Sequence, residues 1–573
     1  MLARLQGAAL RGIQALRVTI EVEAANGLPS WTTVGLPHRA VSEGRLRVRA
    51  AIARCGLEPK PQRVVVSLAP ADVPKDGAAY DLPIALGLLA AQDLVALGRL
   101  EGLAVLGELA LDGSLNPVRG VLPIAAAVER LGLKGVLVPR ANAREAAAAG
   151  ILVRSAAHLA DVIAFCAGRS ELPAGAPADE PDVAMGGTGD RGRGRWIGLG
   201  VGASDGTSTG GSAAPDLRDV RGQRDARRAL EIAAAGGHSA LFAGPPGCGK
   251  SMLARRLPGI LPPLTRAEAL ETTAIHSVAG LLPPGSGLLA ARPFRAPHHT
   301  ASAPALVGGG PRPLPGELSL AHHGVLFLDE LPEFPRHALE SLRQPLEEGV
   351  VVVVRAAGRV CLPARVTLVA AMNLCPCGAT GDPRAVCRCT PSMRHAYRAR
   401  VSGPLLDRLD LHVGLRPIDV RALMAPPGGA GGGGAEPEDS ATVRARVVAA
   451  RERQQHRYGP RGPGCNAVLE PADVHRWCAL DPGARGALEM ALTRASPSAR
   501  AYHRLLRVAR TVADLRGAAR VSAEDVMEAL SLRRSPDLQD APPRAPVAAE
   551  AQGEADEDNG GDEAAQARDA MVA

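Results

Sequence analysis

The chain has 573 residues, of which 46% are apolar and 22% charged, with ten cysteines and a formal charge of +7. That length suits several domains, and no run of about 18 apolar residues offers a membrane span. The opening MLARLQGAALRGIQALRV breaks its apolar residues with Arg and Gln and lacks a secretory core with a cleavage site, so a cytoplasmic protein is expected.

Residues 1–170 read as a compact α/β unit. Val18–Val22 alternates like a strand, Arg39–Cys55 has a helical pattern that stops before Gly56, and Val64–Val66 marks a buried strand. Leu82–Ala91 reads as a helix, and Val105–Leu111 as one strand entering a turn at Asp112-Gly113. Strand–helix pairs follow near 135–138 and 151–154. Residues 171–215 have the Gly, Ser and Pro content of a flexible linker.

A second module is expected over 216–425. The apolar run Ser239–Ala243 leads into GPPGCGKS: Gly244, Pro245, Pro246, Gly247, Cys248, Gly249, Lys250 and Ser251. This matches G-x-x-x-x-G-K-[ST], in which glycines turn backbone N–H groups toward phosphates. The Lys then reaches the β and γ phosphates and the Ser ligates Mg²⁺. Only four of the 66 basic residues are lysine, and one is Lys250. An otherwise Arg-rich chain keeps a slim point charge there. About 80 residues later, Gly324–Leu328 leads a buried strand into Asp329 and Glu330. Asp329 suits the Mg²⁺ and Glu330 the attacking water. Arg292–Thr300 lies between the two motifs, and its paired His298 and His299 show no third metal ligand at suitable spacing.

Glu347–Leu362 reads as a β-hairpin whose tip is flanked by Arg355 and Arg359, two cations able to hold phosphates without reading sequence. Val366–Met372 is a further strand, ending in Asn373. Cys375, Cys377, Cys387 and Cys389 follow at once. Four thiolates suit structural Zn²⁺; reduced thiols and a redox disulfide are the alternatives. Arg408 lies in SGPLLDRLD, where it suits either an internal ion pair or a charge supplied to a neighbouring subunit.

A Gly-rich insert, 426–440, precedes a helical region at 441–534. There Arg500, Arg504 and Arg507 recur at helical spacing, and Ser522 is placed to cap the last helix. The tail, 535–573, has ten acids against two arginines and is expected to be disordered. Without its charge of −8 the body stands at +15, which suits an acidic polymer. Aromatic residues make up only 2% of the chain, so backbone contacts rather than base stacking are expected on any nucleic acid.

The order of GPPGCGKS, LFLDE, AAMN and SGPLLDR resembles an AAA+ ATPase of the magnesium-chelatase-like group. The chain is similar throughout to the YifB/ComM family, on VGLPHRAVSEGRLRVRAAI, LAPADVPKDGAAYDLPIALGLLA, RPFRAPHHTASAPALVGGG, CPCG and SARAYHRLLRVARTVADL. The resemblance implies an N-terminal ribosomal-S5-like or Lon-protease-like α/β domain, an AAA+ P-loop core and a C-terminal helical lid, assembled as a hexameric ring. It implies Asn373 as sensor 1, Arg408 as arginine finger and Arg500 as sensor 2. It further implies an ATP-driven motor on single-stranded or branched DNA, of the helicase or branch-migration kind used in natural transformation. A regulatory or remodelling ATPase acting on a protein, or a metal-chelatase subunit, is the alternative. PKDGAAYD resembles a Lon-type active-site segment, but Ala79 stands where the nucleophilic Ser belongs, so no peptidase is expected.

Overall fold

The fold was obtained as a computed structural model that describes residues 1–36, 39–75, 77–175, 215–310, 313–355, 358–417, 438–495 and 499–533. The expected linker, apart from its edges, most of the Gly-rich insert and the acidic tail lie outside them. Among the described residues, no helix is long and apolar enough to cross a membrane.

Nine strands build the N-terminal unit: β1 (Leu2–Arg11), β2 (Gln14–Ala25), β3 (Ser30–Val34), β4 (Arg63–Ala69), β5 (Leu103–Val105), β6 (Glu108–Leu109), β7 (Leu115–Asn116), β8 (Gly135–Pro139) and β9 (Leu152–Ala156). Seven form one mixed sheet in the order β3-β4-β2-β1-β5-β8-β9, and β6 and β7 pair apart from it. The run Val105–Leu111 is therefore not one strand. The chain leaves the sheet after Val105, and the β6–β7 pair turns at Asp112–Ser114, where the Asp112 carboxylate accepts from the Ser114 amide at 2.9 Å. The helix Asp81–Ala91 is apolar almost all round because it is sunk between the sheet and the helix Arg39–Arg54. Its Asp81, buried, takes Nε of Arg47 at 2.6 Å.

The second module contains β10 (Ala240–Ala243), β11 (Phe294–Arg295), β12 (Gly308–Gly309), β13 (Leu314–Pro315), β14 (Val325–Leu328), β15 (Val350–Arg355), β16 (Gly358–Pro363), β17 (Thr367–Met372) and β18 (Leu411–Gly414). Five run parallel in the order β11-β14-β17-β10-β18. Both faces of this sheet are covered, which is why its strands read as unbroken apolar runs. Ala240, Phe242, Val325, Phe327, Val369 and Ala371 face one core, shared with the C-terminal helices through Val443, Val447, Leu505, Val508 and Val512. Leu241, Ala243, Leu326, Leu328, Leu368 and Ala370 face the other, which also receives Val351, Val353, Val360 and Leu362 of the β15–β16 hairpin.

The C-terminal helices span Ser440–Tyr458, Pro471–Trp477, Pro482–Ala495, Ala499–Arg516 and Ala523–Ser531. The last begins with a capping box, in which Ser522 and Asp525 each accept from the other's backbone N–H. These helices are pinned by polar groups as well as by packing. Buried Arg510 and half-buried Arg457 both pair with buried Asp514, and Asn466 Nδ2 donates to Asp514 at 3.0 Å.

A single buried carboxylate ties the first module to the second. Glu145 accepts from the Leu122 amide at 3.0 Å and from Asn142 Nδ2 at 2.9 Å, and it takes the Ser277 hydroxyl of the helix Arg266–Ala279. Nearby, the Gly120 amide donates to the Ser277 carbonyl at 3.2 Å and Gly285 donates to Ala141 at 2.8 Å. Glu145→Ala strands three donors in a buried contact. It is expected to cost about 1–3 kcal/mol and to lower the midpoint of thermal unfolding, measured by calorimetry. An unchanged midpoint would contradict this role.

Candidate functional site

Three adjacent parallel strands end at one edge of the sheet. Ala243 of β10 stands in register with Met372 of β17, and Leu328 of β14 with Ala370 of β17. The residues that follow these ends are therefore Gly244 and Asn373, level with each other, and Asp329 two residues lower, all at the carboxyl edge, where open α/β sheets bind ligands. The convergence is a consequence of register, and each strand is held in register by burial on both faces.

The loop 244–251 closes over this edge. Gly247 and Gly249 adopt φ of +75° and +94° with nothing within 4 Å of a would-be Cβ. Glycine is required there for backbone conformation, not for space. Lys250 opens the helix Lys250–Ala254, and its ammonium donates to the carbonyls of Gly244 (2.8 Å) and Pro245 (2.9 Å) and to Asn373 Oδ1 (3.0 Å). Burial pulls its pKa below that of an ordinary lysine, against the opposing pull of Cys248, Asp329 and Glu330. The Ser251 hydroxyl donates to Asp329 Oδ2 at 2.6 Å. An alcohol and a carboxylate side by side are oxygen donors of the kind a hard cation takes, so the pair fits Mg²⁺. Glu330 sits at φ +52°, a left-handed conformation unusual for a non-glycine residue. A cavity of about 410 Å³ is lined by Gly247, Lys250, Ser251, Asp329, Glu330 and Asn373 among others. That volume is within the range of small-ligand sites.

Two residues at the site carried no sequence signal for their positions. His299, in the segment before β12, approaches Glu330 Oε2 with Nδ1 at 3.1 Å and packs tilted against His298, with ring centroids 4.1 Å apart. Gln223, just before the helix Arg224–Gly236, donates to the carbonyls of Cys248 (3.1 Å) and Arg416 (2.7 Å), bracing the loop from behind.

Arg408 and Arg500 do not line the cavity. Arg408 is largely buried and paired with Glu347, so the internal ion pair foreseen as one of its readings is present in the chain. Arg500 is exposed at the start of the helix Ala499–Arg516. In the same helix Arg504 approaches Asp410 at 3.9 Å, and Arg507 donates to the Ala467 carbonyl at 3.3 Å. Arg359 is exposed near the hairpin tip, in register with Val354. The side chain of Arg355 lies outside the described residues.

The cysteine cluster is drawn together directly after Asn373. Sulfur–sulfur separations are 3.4 Å for Cys375–Cys377 and 3.7 Å for both Cys377–Cys387 and Cys387–Cys375. Cys389 completes a set whose four sulfurs all lie within 4.8 Å of one another. A second group, Glu271 with His322 and His323, is similarly close but is already satisfied. The Arg365 amide donates to His322 Nδ1 at 3.0 Å, so the proton of the neutral ring sits on Nε2, which faces Glu271 at 3.1 Å. The lone pair of that tautomer, on Nδ1, is taken by the Arg365 amide, so none is left for a metal. The two histidines instead hold the Glu271 carboxyl well below the usual carboxylate range.

Comparison with known proteins places this geometry in a lineage. Residues 216–423 match the family model described as magnesium chelatase, subunit ChlI. Residues 20–142 match subunit ChlI of Mg-chelatase, and 437–533 match the magnesium chelatase subunit ChlI C-terminal model. The chain is 42% identical to the uncharacterized protein YifB of Salmonella typhimurium over 526 residues, covering 91% of this chain and 95% of that one. It is 41% identical to the competence protein ComM of Haemophilus influenzae over 539 residues, covering 93% and 97%. An uncharacterized protein of Mycobacterium tuberculosis is 42% identical over 536 residues, covering 93% and 99%. With both halves of the sheet-edge site inside the matched segments, and identity sustained from end to end, the chain belongs to the YifB/ComM family of magnesium-chelatase-like proteins.

Proposed function

We propose that this protein is a Mg²⁺-dependent ATPase that assembles into a ring, most simply a hexamer, and works on DNA as a helicase or branch-migration motor. The observation that carries the ATPase reading is the convergence of Lys250, Ser251, Asp329, Glu330 and Asn373 on one cavity. In this reading 216–425 is the AAA+ core, 441–534 its helical lid, and 1–170 an S5/Lon-like domain that serves assembly or partner binding. Residues 171–215 and 426–440 are connecting segments and 535–573 an acidic tail. The DNA reading is supported by the basic body and by a relative named as a competence protein.

The chemistry follows from the side chains. Lys250 exchanges its bonds to two loop carbonyls and Asn373 for phosphate oxygens of ATP, and the backbone of 244–249 supplies further donors. Ser251 and Asp329 would hold Mg²⁺, which would supply neutralisation of charge on the phosphates. Glu330 takes a proton from the attacking water, and His299 fixes the direction of that carboxylate. Asn373 orients the water. Arg408, released from Glu347, stabilises charge at a neighbouring subunit's site, and Arg500 approaches the nucleotide from the lid. Arg355 and Arg359 on the β15–β16 hairpin are the DNA contacts, holding phosphates without reading bases.

Glu330→Gln is expected to lower ATP turnover at least about a hundredfold while ATP still binds. Single-stranded or branched DNA is expected to stimulate the wild type and not the variant, in a phosphate-release assay. Turnover indifferent to every DNA would sink the motor reading and point to a protein client. Arg408→Ala is expected to lose about a thousandfold in turnover. Mixing it with Glu330→Gln is expected to restore activity, because some interfaces then combine an intact Glu330 with an intact Arg408. A mixture as inactive as its parts would contradict an arginine shared between subunits.

A further inference from the structure

Residues 374–389 form no helix or strand, and of them only Leu374, Cys375 and Gly378 are buried. Val386 is 87% exposed. An excursion of this length without an apolar core of its own needs another source of order. The four cysteines are the feature that draws its two ends together.

The sulfurs are spaced as a metal would space them. Four thiolates around Zn²⁺ at about 2.3 Å define a tetrahedron with edges of about 3.8 Å. The three measured separations, 3.4, 3.7 and 3.7 Å, stand close to that edge. They are far from the roughly 2.05 Å of a disulfide. Donors surround the sulfurs as well: the Thr380 amide reaches Cys375 Sγ at 3.4 Å and the Thr380 hydroxyl reaches Cys387 Sγ at 3.1 Å. Such outer contacts orient thiolate ligands and share their negative charge. With four sulfur ligands the coordination sphere is closed, which is the arrangement of a structural metal.

The cage also rests on the phosphate loop. A Cβ on Gly378 would lie 2.8 Å from Pro246 Cγ, so the backbone of the first cysteine turn is seated directly on that proline. Gly381 packs between Leu374 and Pro245 in the same way, with would-be contacts of 3.2 and 3.7 Å. Asn373, which accepts the Lys250 ammonium, is two residues from the first ligand.

We propose that Cys375, Cys377, Cys387 and Cys389 hold one Zn²⁺ per chain, and that this metal locks the loop that seats Asn373 and backs Pro245 and Pro246 of the phosphate loop. The second half of the proposal rests on the nucleotide reading given above, whereas the first stands without it. The metal is then a control point: its loss frees the wall behind the phosphate loop and weakens nucleotide binding at a site that none of the four thiolates enters.

The test uses the full chain, purified without chelator or added metal. Elemental mass spectrometry is expected to find about one zinc per chain. Cys377→Ser combined with Cys387→Ser is expected to lose it, while Cys361→Ser, an exposed thiol on β16, retains it. Should the double variant fail to fold, wild-type protein loaded with Co²⁺ decides, because four thiolates give intense tetrahedral absorption bands and strong sulfur-to-metal charge transfer. Metal-free protein with four titratable thiols, or a disulfide found among them by mass spectrometry, would overturn the site. Stripping zinc is expected to weaken binding of a fluorescent ATP analogue by tenfold or more, restored by Zn²⁺ alone. Unchanged affinity after stripping would overturn the coupling. A zinc-loaded chain that binds no nucleotide would overturn the nucleotide reading and leave the metal site standing.

Discussion

The pairing of β10 with β17, and of β17 with β14, is the constraint on which the site depends. Ala243 opposite Met372 and Leu328 opposite Ala370 bring three chain segments, far apart in sequence, to one edge, with β14 ending two residues short of the other two. A slip of one residue would turn every buried side chain of a strand to the wrong core. Leu241 and Phe242 would exchange faces, and both cores would have to repack. Apolar burial therefore sets the separation between Lys250 and Asn373 and between Ser251 and Asp329. The polar residues meet as they do because the strands beneath them have no other favourable register.

What surrounds the edge is tuned by fewer and more local interactions. Lys250 is held among carbonyls and an amide oxygen, so its charge is oriented without a fixed counter-ion touching it. Glu330 projects from a strained left-handed residue and is steadied by His299 from a segment that lies between residues 244–251 and 324–330. The N-terminal module grips the same region from outside: Glu145 bonds Ser277, and the β1–β2 turn packs Gly12 against Val360 of the β15–β16 hairpin. The first module and that hairpin are thus in direct contact.

Much of this was legible in the sequence, for a physical reason. Strands buried on both faces are written as unbroken apolar runs, so β10, β14 and β17 could be read together with the Gly244, Asp329 and Asn373 that follow them. The helix Ala523–Ser531 was legible through Ser522 because its cap is local. Other features depend on distance in space, not in sequence. His299 reads as one of a histidine pair without a third ligand, and nothing in its neighbours says that Glu330 lies 3.1 Å away. Gln223 looks like any residue before a helix, yet it braces the loop 244–251. The run Val105–Leu111 misled because its apolar pattern continues after the chain has left the sheet. The cysteine spacing left zinc, free thiols and a disulfide open, and the sulfur separations, well beyond a bond length, set only the disulfide aside.

The central claim is that this sheet edge is a nucleotide site, and calorimetric titration of the full chain with a non-hydrolysable ATP analogue tests it most directly. The account predicts saturable binding of up to one nucleotide per chain, strengthened by Mg²⁺ and lost in Lys250→Ala while the fold is kept. Absence of binding in wild-type protein shown to be folded, or binding that survives Lys250→Ala unchanged, would contradict it.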